Sequence, residues 1–259
     1  MITLEDKISE LCMPSGVDNR AWCSPIESQG RLGSCTAHAG IGIIEYLERK
    51  TFDKHLDASR LFLYKTTRNL LNWTGDTGAY LRTTMKALRL FGIPPEEYYT
   101  YRVDKFDEEP SAFVYALAQN YKSIEYYRLD TLNNSPQNTL ESIKKHLVAG
   151  IPSMFGFSTY HSIWNVDSSG KIYFPNPNEP VVGGHALVAI GYNDDLEIVH
   201  YESPFTRTIG AFLVRNSWGT GWGQGGYGYL PYDYVTKGIA TDWWVIIKQD
   251  WVDTEKFNI

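Results

Sequence analysis

At 259 residues the chain is long enough for one large domain or two smaller lobes around a sizeable core. Hydrophobic residues make up 43% and charged residues 21%, as in an ordinary globular protein, and no apolar run is long enough to span a bilayer as a helix. The net charge of −6, with no block of Lys or Arg, argues against a nucleic-acid partner.

Residues 1–24 read as an arm of undefined structure. Its polar start, with Glu5, Asp6, Lys7 and Glu10, is unlike a secretory signal, so a cytoplasmic location is expected. Three Cys are too few for a disulfide scaffold; at most Cys12 could pair with Cys23. The Cys spacings, with His38, match no compact zinc site, and no cofactor is expected.

After the Pro25 turn comes Gln29-Gly30-Arg31-Leu32-Gly33-Ser34-Cys35, a Gly-rich turn that opens a helix running to about Lys50. A thiol in the first turn of a helix faces unpaired backbone N–H groups and the positive end of the helix dipole, both of which favour thiolate. Gln29 can bring a side-chain amide to the same spot, a donor suited to an oxyanion. An inert Cys packed at a helix start fits this stretch equally well.

Asp57-Ala58-Ser59 caps a second helix carrying Leu61, Phe62 and Tyr64. Asn72–Gly78 reads as loop, and a third helix over Ala79–Phe91 places Leu81, Met85 and Leu88 at helical spacing before Gly92 and Pro94 stop it. Glu96–Glu109 reads as a crossover between lobes. A further helix is expected over Thr139–Ala149, with Asn138 and Glu141 in capping-box spacing. Then come short apolar runs: Met154–Phe157, His185–Tyr192, Glu197–Tyr201, Gly210–Arg215, Tyr227–Leu230 and Trp243–Ile247. Their β-branched and aromatic content suggests an antiparallel sheet or barrel, with Asn193-Asp194-Asp195 as a hairpin turn. A helical lobe followed by a β lobe results, and clefts form where lobes meet.

Two stretches of the β half bear on Cys35. Gly183-Gly184-His185-Ala186 starts a buried strand with a His, and Arg215-Asn216-Ser217-Trp218-Gly219 opens a Gly/Trp-rich turn with an Asn. A Cys nucleophile needs a base for its proton, and that imidazole needs a third group to fix its tautomer. Singly, each is as well explained by packing or turn formation; jointly with Gln29 and Cys35 they point to catalysis.

From about Pro25 to Ile247 these motifs make the sequence resemble the papain-like cysteine peptidases. The resemblance implies an α+β, two-lobe fold: a helical lobe over 25–110, an antiparallel β-barrel lobe over 111–259, and an active-site cleft between them. It implies Cys35 as nucleophile, His185 as its partner, Asn216 as the orienting group, and Gln29 with the Cys35 N–H as oxyanion hole. Trp218 would shield the His–Asn pair, and Gly78 would pair with extended substrate. Gly156 and Ala186 would line an apolar pocket with Asp242, in Gly238-Ile239-Ala240-Thr241-Asp242, as an acid at its base that accepts basic residues.

The sequence departs from the family pattern at Leu32, where a Cys normally forms a local disulfide, and at Thr36, normally aromatic. The His-to-Asn gap is long, with Asp195–Gly210 expected as an extended loop. Such changes resemble the microbial or viral branch. No inhibitory propeptide is recognisable, so the arm is expected either to strap the β lobe or to lie over the cleft. The function implied is peptide-bond cleavage on a peptide or protein substrate by a monomer, without nucleic acid or membrane. The same triad would also serve an acyl transferase, and a catalytically silent peptide-binding homologue would keep the cleft.

Overall fold

The computed structural model of the chain describes residues 11–251. Its helices are α1 (Cys35–Phe52), α2 (Arg60–Leu71), α3 (Leu81–Phe91), α4 (Ala112–Ala118), α5 (Pro136–Val148) and α6 (Asp233–Thr236). The strands are β1 (Gly16–Asp18), β2 (Tyr121–Arg128), β3 (Ser153–Tyr160), β4 (Val181–His200), β5 (Ser203–Arg215), β6 (Tyr227–Pro231) and β7 (Ala240–Trp251). They form one antiparallel sheet in the order β2-β7-β3-β4-β5-β6, with β1 added to β4.

Helix α1 is buried on nearly every side over Thr36–Tyr46, which its run of Ala, Gly and Ile permits. It lies between α2 and α3 on one side and β3 and β4 on the other. Ser59 caps α2 by accepting from the Phe62 N–H at 3.2 Å. In α3, Leu81, Met85 and Leu88 are buried while Arg82, Lys86 and Arg89 face solvent, and Gly92 ends the helix.

The alternation of side chains along β3 and β4 divides the core in two. Met154, Ala186, Val188 and Ile190 pack with the helices, whereas Phe155, Phe157, Leu187 and Ala189 pack with α5, α6 and the remaining strands. The helical cluster extends past residue 110 to take in Val114 and Ala118 of α4.

Several expectations are corrected. Asn193-Asp194-Asp195 is not a hairpin turn; it lies inside β4 at a register shift, held by Lys144 Nζ and Tyr232 Oη, each 2.7 Å from Asp194 Oδ1. The hairpin turns at Tyr201-Glu202, so the segment expected as an extended loop is paired strand, Glu197 with Ile209 through Val199 with Arg207. Helix α5 starts at Pro136 rather than Thr139, because Ser135 is the cap and accepts from the Asn138 N–H at 3.1 Å. Strands β1 and β2 and helix α4 were not expected; β1 is only three residues long, and the polar alternation of Tyr121–Arg128 hides a strand.

The described part of the arm is a strap on the β lobe. Gly16–Asp18 pairs with Gly191–Asn193, and Tyr192 Oη donates to the Pro14 carbonyl at 2.7 Å. An arm over the cleft would have to be residues 1–10, which lie outside the described residues. Cys12 and Cys23 are both free, the first exposed and the second buried.

Candidate active site

A cleft of about 530 Å³ lies between the helices and the sheet, lined among others by Gln29, Cys35, Gly78, Gly156, His185 and Trp218. Cys35 opens α1. The preceding Ser34 does not cap the helix; its hydroxyl turns away to Tyr101 Oη at 2.7 Å and to His38 Nδ1 at 3.3 Å. The Ser34 side chain therefore satisfies none of the first-turn N–H groups. Burial pushes the Cys35 thiol up, against the N–H groups of Ala186, Thr36 and Cys35 itself, which pull it down. The helix terminus therefore acts as the sequence suggests, but burial outweighs it.

His185 sits in β4 beside the lobe boundary, and Asn216 follows the end of β5. His185 Nε2 is 2.8 Å from Asn216 Oδ1, an oxygen that also accepts from the Ser217 N–H at 2.7 Å. Because an amide oxygen only accepts, the bond fixes the His185 proton on Nε2 and leaves Nδ1 as the basic nitrogen. The Trp218 ring covers the imidazole at 4.5 Å between centroids. Burial pushes the His185 pKa down to about 4, opposed by the bond to Asn216. Each group alone is thus held neutral. A proton passed from Cys35 to His185 would create both charges at once, add no net charge to the cleft, and let each offset the other's desolvation.

Besides its carbonyl, which accepts from the Leu32 N–H at 3.3 Å and from Tyr101 Oη at 2.8 Å, three further bonds fix Gln29. Its N–H donates to the Ser217 carbonyl at 2.8 Å, its Oε1 accepts from Ser217 Oγ at 2.7 Å, and its Nε2 donates to the Leu32 carbonyl at 2.8 Å. One Nε2 hydrogen remains for the cleft. With the Gly219 N–H on the Glu27 carbonyl at 3.0 Å, the segment around Gln29 is stitched directly to the turn that follows Asn216. Ser217 was not singled out by its sequence; its place next to Asn216 was the available signal.

The sequence model described as "Papain family cysteine protease" matches residues 13–247. The chain belongs to the papain family of cysteine proteases. It is 35% identical over 224 residues to an uncharacterized peptidase C1-like protein of Acanthamoeba polyphaga mimivirus, covering 84% of this chain and 68% of that protein. Against cathepsin K of Gallus gallus the identity is 25% over 232 residues, and the chain spans 62% of that protein's length. The crystal structure of xylellain, a cysteine protease from Xylella fastidiosa, superposes with a TM-score of 0.74 at 32% identity, covering 92% of this chain and 87% of that one. The α+β architecture is therefore the papain-like one.

Other residues that the papain resemblance singles out also line the cleft, with two differences of detail. Gly78 has φ +71°, a conformation that favours glycine, but its N–H donates inward to Tyr64 Oη at 3.1 Å. The adjoining Ala79 backbone, on the cleft lining, makes no hydrogen bond among the described residues. Gly156 pairs with Ala186 in register, and a Cβ on it would meet Leu81 Cδ1 at 3.2 Å, so a side chain here would crowd the lobe interface. Asp242 reaches the lining, but its carboxylate is already engaged: Oδ1 accepts from Trp244 Nε1 at 2.8 Å and lies 3.4 Å from Arg128 Nη1. A substrate cation there would compete with Arg128. The N–H of Trp243 is taken by Asp130 at 2.8 Å, not by Asp242.

Asp76 clasps the nucleophile loop to its neighbours. Its Oδ1 accepts from the Gly33 N–H at 2.9 Å and from Tyr64 Oη at 2.5 Å, joining the nucleophile loop, α2 and the Gly78 loop. Asp76→Ala should lower kcat/KM by about 10- to 100-fold through a higher KM, since a lost charged hydrogen bond is worth about 1.5–3 kcal/mol. Asp76→Asn, which keeps the acceptor, should recover most of it. Equal losses in both variants would mean that the charge matters and the clasp does not.

Proposed function

We propose that the chain cleaves peptide bonds through a thioester acyl-enzyme, with Cys35 as nucleophile. The observation that carries this reading is the His185–Asn216 bond of 2.8 Å, which presents a basic Nδ1 in the same cleft as a Cys at a helix start. In the first step the Cys35 proton passes to His185 Nδ1 while Sγ attacks the carbonyl carbon. The resulting oxyanion takes the free Gln29 Nε2–H and the Cys35 N–H. As the intermediate collapses, His185 returns the proton to the departing amine. A water then gives its proton to His185 and attacks the thioester, releasing the acid and the thiol. The substrate lies extended across the cleft, with the Ala79 backbone and the Gly156–Ala186 floor on the acyl side.

Incubation with a broad fluorogenic peptide tests the reaction, and a thiol-trapping epoxide followed by peptide mass mapping tests the nucleophile. Gln29→Ala should lower turnover about 100- to 1,000-fold, the usual cost of one oxyanion donor. It should leave the pH profile of Cys35 alkylation in place, because Gln29 bonds neither His185 nor Asn216, and its backbone bond to Ser217 survives the substitution. A shift of that profile would assign Gln29 to the ion pair instead.

A further inference from the structure

Trp164 is the outer member of an aromatic stack that begins at the His185 imidazole. Trp218 lies over His185 at 4.5 Å, and Trp164 stacks face to face on Trp218 at 5.4 Å and 15° between planes. Trp222 meets Trp218 edge-on at 5.7 Å and holds it from the side. Trp164 is 63% exposed, although its neighbours Ser162 and Ile163 are buried. Its short 3-10 turn, His161–Asn165, is tied down along its length. The His161 N–H donates to the Pro180 carbonyl at 3.2 Å, the Ser162 N–H to Glu179 Oε1 at 2.6 Å, and Asn165 Nδ2 to Tyr201 Oη at 2.9 Å. A large ring is thus held out into the cleft by a fixed turn, at a place where packing does not require it. Val182, 43% exposed, lines the same part of the cleft.

The chemistry decides which part of a substrate reaches this ring. In the proposed reaction the carbonyl oxygen faces Gln29 and the Cys35 N–H, so the departing nitrogen must face His185, which protonates it. The chain beyond that nitrogen therefore continues over the face of the cleft that Trp218 and Trp164 cover. The lining there, Thr159, Val182, Gly183 and Trp218, carries no charge.

We propose that Trp164, with Val182, forms the subsite for the first residue after the cut and takes an aromatic or large apolar side chain there. The proposal rests on the peptidase reading for its orientation. A ring laid on Trp164 would extend the stack by one member, and such a contact is worth about 3- to 10-fold in discrimination.

The test uses peptides identical before the cut, with Trp, Phe, Leu, Gly or Asp immediately after it, and a methyl ester of the same acyl part, which has no residue there. The wild-type protein should favour Trp and Phe over Gly by about 3- to 10-fold in kcat/KM. Trp164→Ala should erase that preference and leave the ester unchanged, and Trp164→Phe should keep most of it. Equal loss on every substrate, the ester included, would overturn the proposal, because Trp164 would then only support Trp218 and His185. Equal rates for all side chains in the wild type would overturn it too. The same peptides titrated against Cys35→Ala read the preference as affinity, independent of turnover. A binding preference without any cleavage would keep this subsite and reject the peptidase reading, whereas uniform binding together with cleavage would do the reverse.

Discussion

Replacing Cys35 by Ala should abolish peptide cleavage, a loss of about 10⁴-fold or more, because members of a triad such as the one proposed act as a unit. The fold should survive, since Ala is the best helix former and the position opens α1 without capping it. Cys12→Ser and Cys23→Ser should retain turnover: neither residue lines the cleft, and burial pushes the Cys23 thiol up, away from reactivity. Alkylation mapped by mass spectrometry should mark Cys35; modification of Cys12 in its place would end this assignment. Asn216→Ala gives the companion result. The Asn216 bond raises the His185 pKa, so its loss lowers the pH at which the imidazolium gives up its proton. The reactive thiolate–imidazolium form should then persist over a narrower range, with the alkaline limb of the alkylation profile moved to lower pH. A variant whose alkaline limb stays put would show that Asn216 does not orient the base.

Much of this site is legible in the sequence because its parts are local. A Gln six residues before a Cys, a helix that begins at that Cys, a His at the start of an apolar strand and an Asn before Ser-Trp-Gly each carry a signature within ten residues. The helices α2 and α3 are equally plain, since the Ser59 cap of the one and the apolar stripe and Gly92 of the other agree with the pattern. What escapes is set by partners far along the chain. Asn193-Asp194-Asp195 has the composition of a turn, yet Lys144 and Tyr232 hold Asp194 within a strand. Asp76 looks like loop punctuation until Gly33 and Tyr64 converge on its carboxylate. The acid at Asp242 is plain in the sequence, but Arg128, more than a hundred positions away, decides what that carboxylate has left to offer. Trp164 gives no signal at all, because nothing local distinguishes a stacked platform from an exposed turn residue.

Arg215→Met should destabilise the protein by about 3–5 kcal/mol, the cost of breaking a buried ionic network by removing one partner. Arg215 precedes Asn216 and is buried at the lobe interface. Its guanidinium donates to the Ser24 carbonyl, to Ser24 Oγ at 3.0 Å and to the Pro25 carbonyl at 2.7 Å. Ser24 Oγ in turn donates to Glu45 Oε2 at 2.5 Å, and the Ala58 N–H donates to Glu45 Oε1 at 3.1 Å. Even so, burial pushes the Glu45 carboxyl up from 4.5 to about 7. A carboxyl whose pKa is raised by folding binds more protons in the native state, so its contribution is present below 4.5 and lost as pH rises through about 7. Glu45→Gln, which fixes the neutral form, should match the wild type near pH 5 and exceed it near pH 8, by at most about 3 kcal/mol. His38 has the opposite sign: burial lowers its pKa from 6.5 to about 4, so its contribution is present above 6.5 and lost as pH falls toward 4. In the wild type the two slopes oppose one another across the acidic range. Glu45→Gln removes one of them, so its stability should fall on acidification more steeply than that of the wild type. Urea unfolding at pH 5, 6.5 and 8 measures both effects. Parallel curves for wild type and Glu45→Gln at all three would show that Glu45 stays ionised at the interface, and that Arg215 neutralises it more completely than its burial suggests.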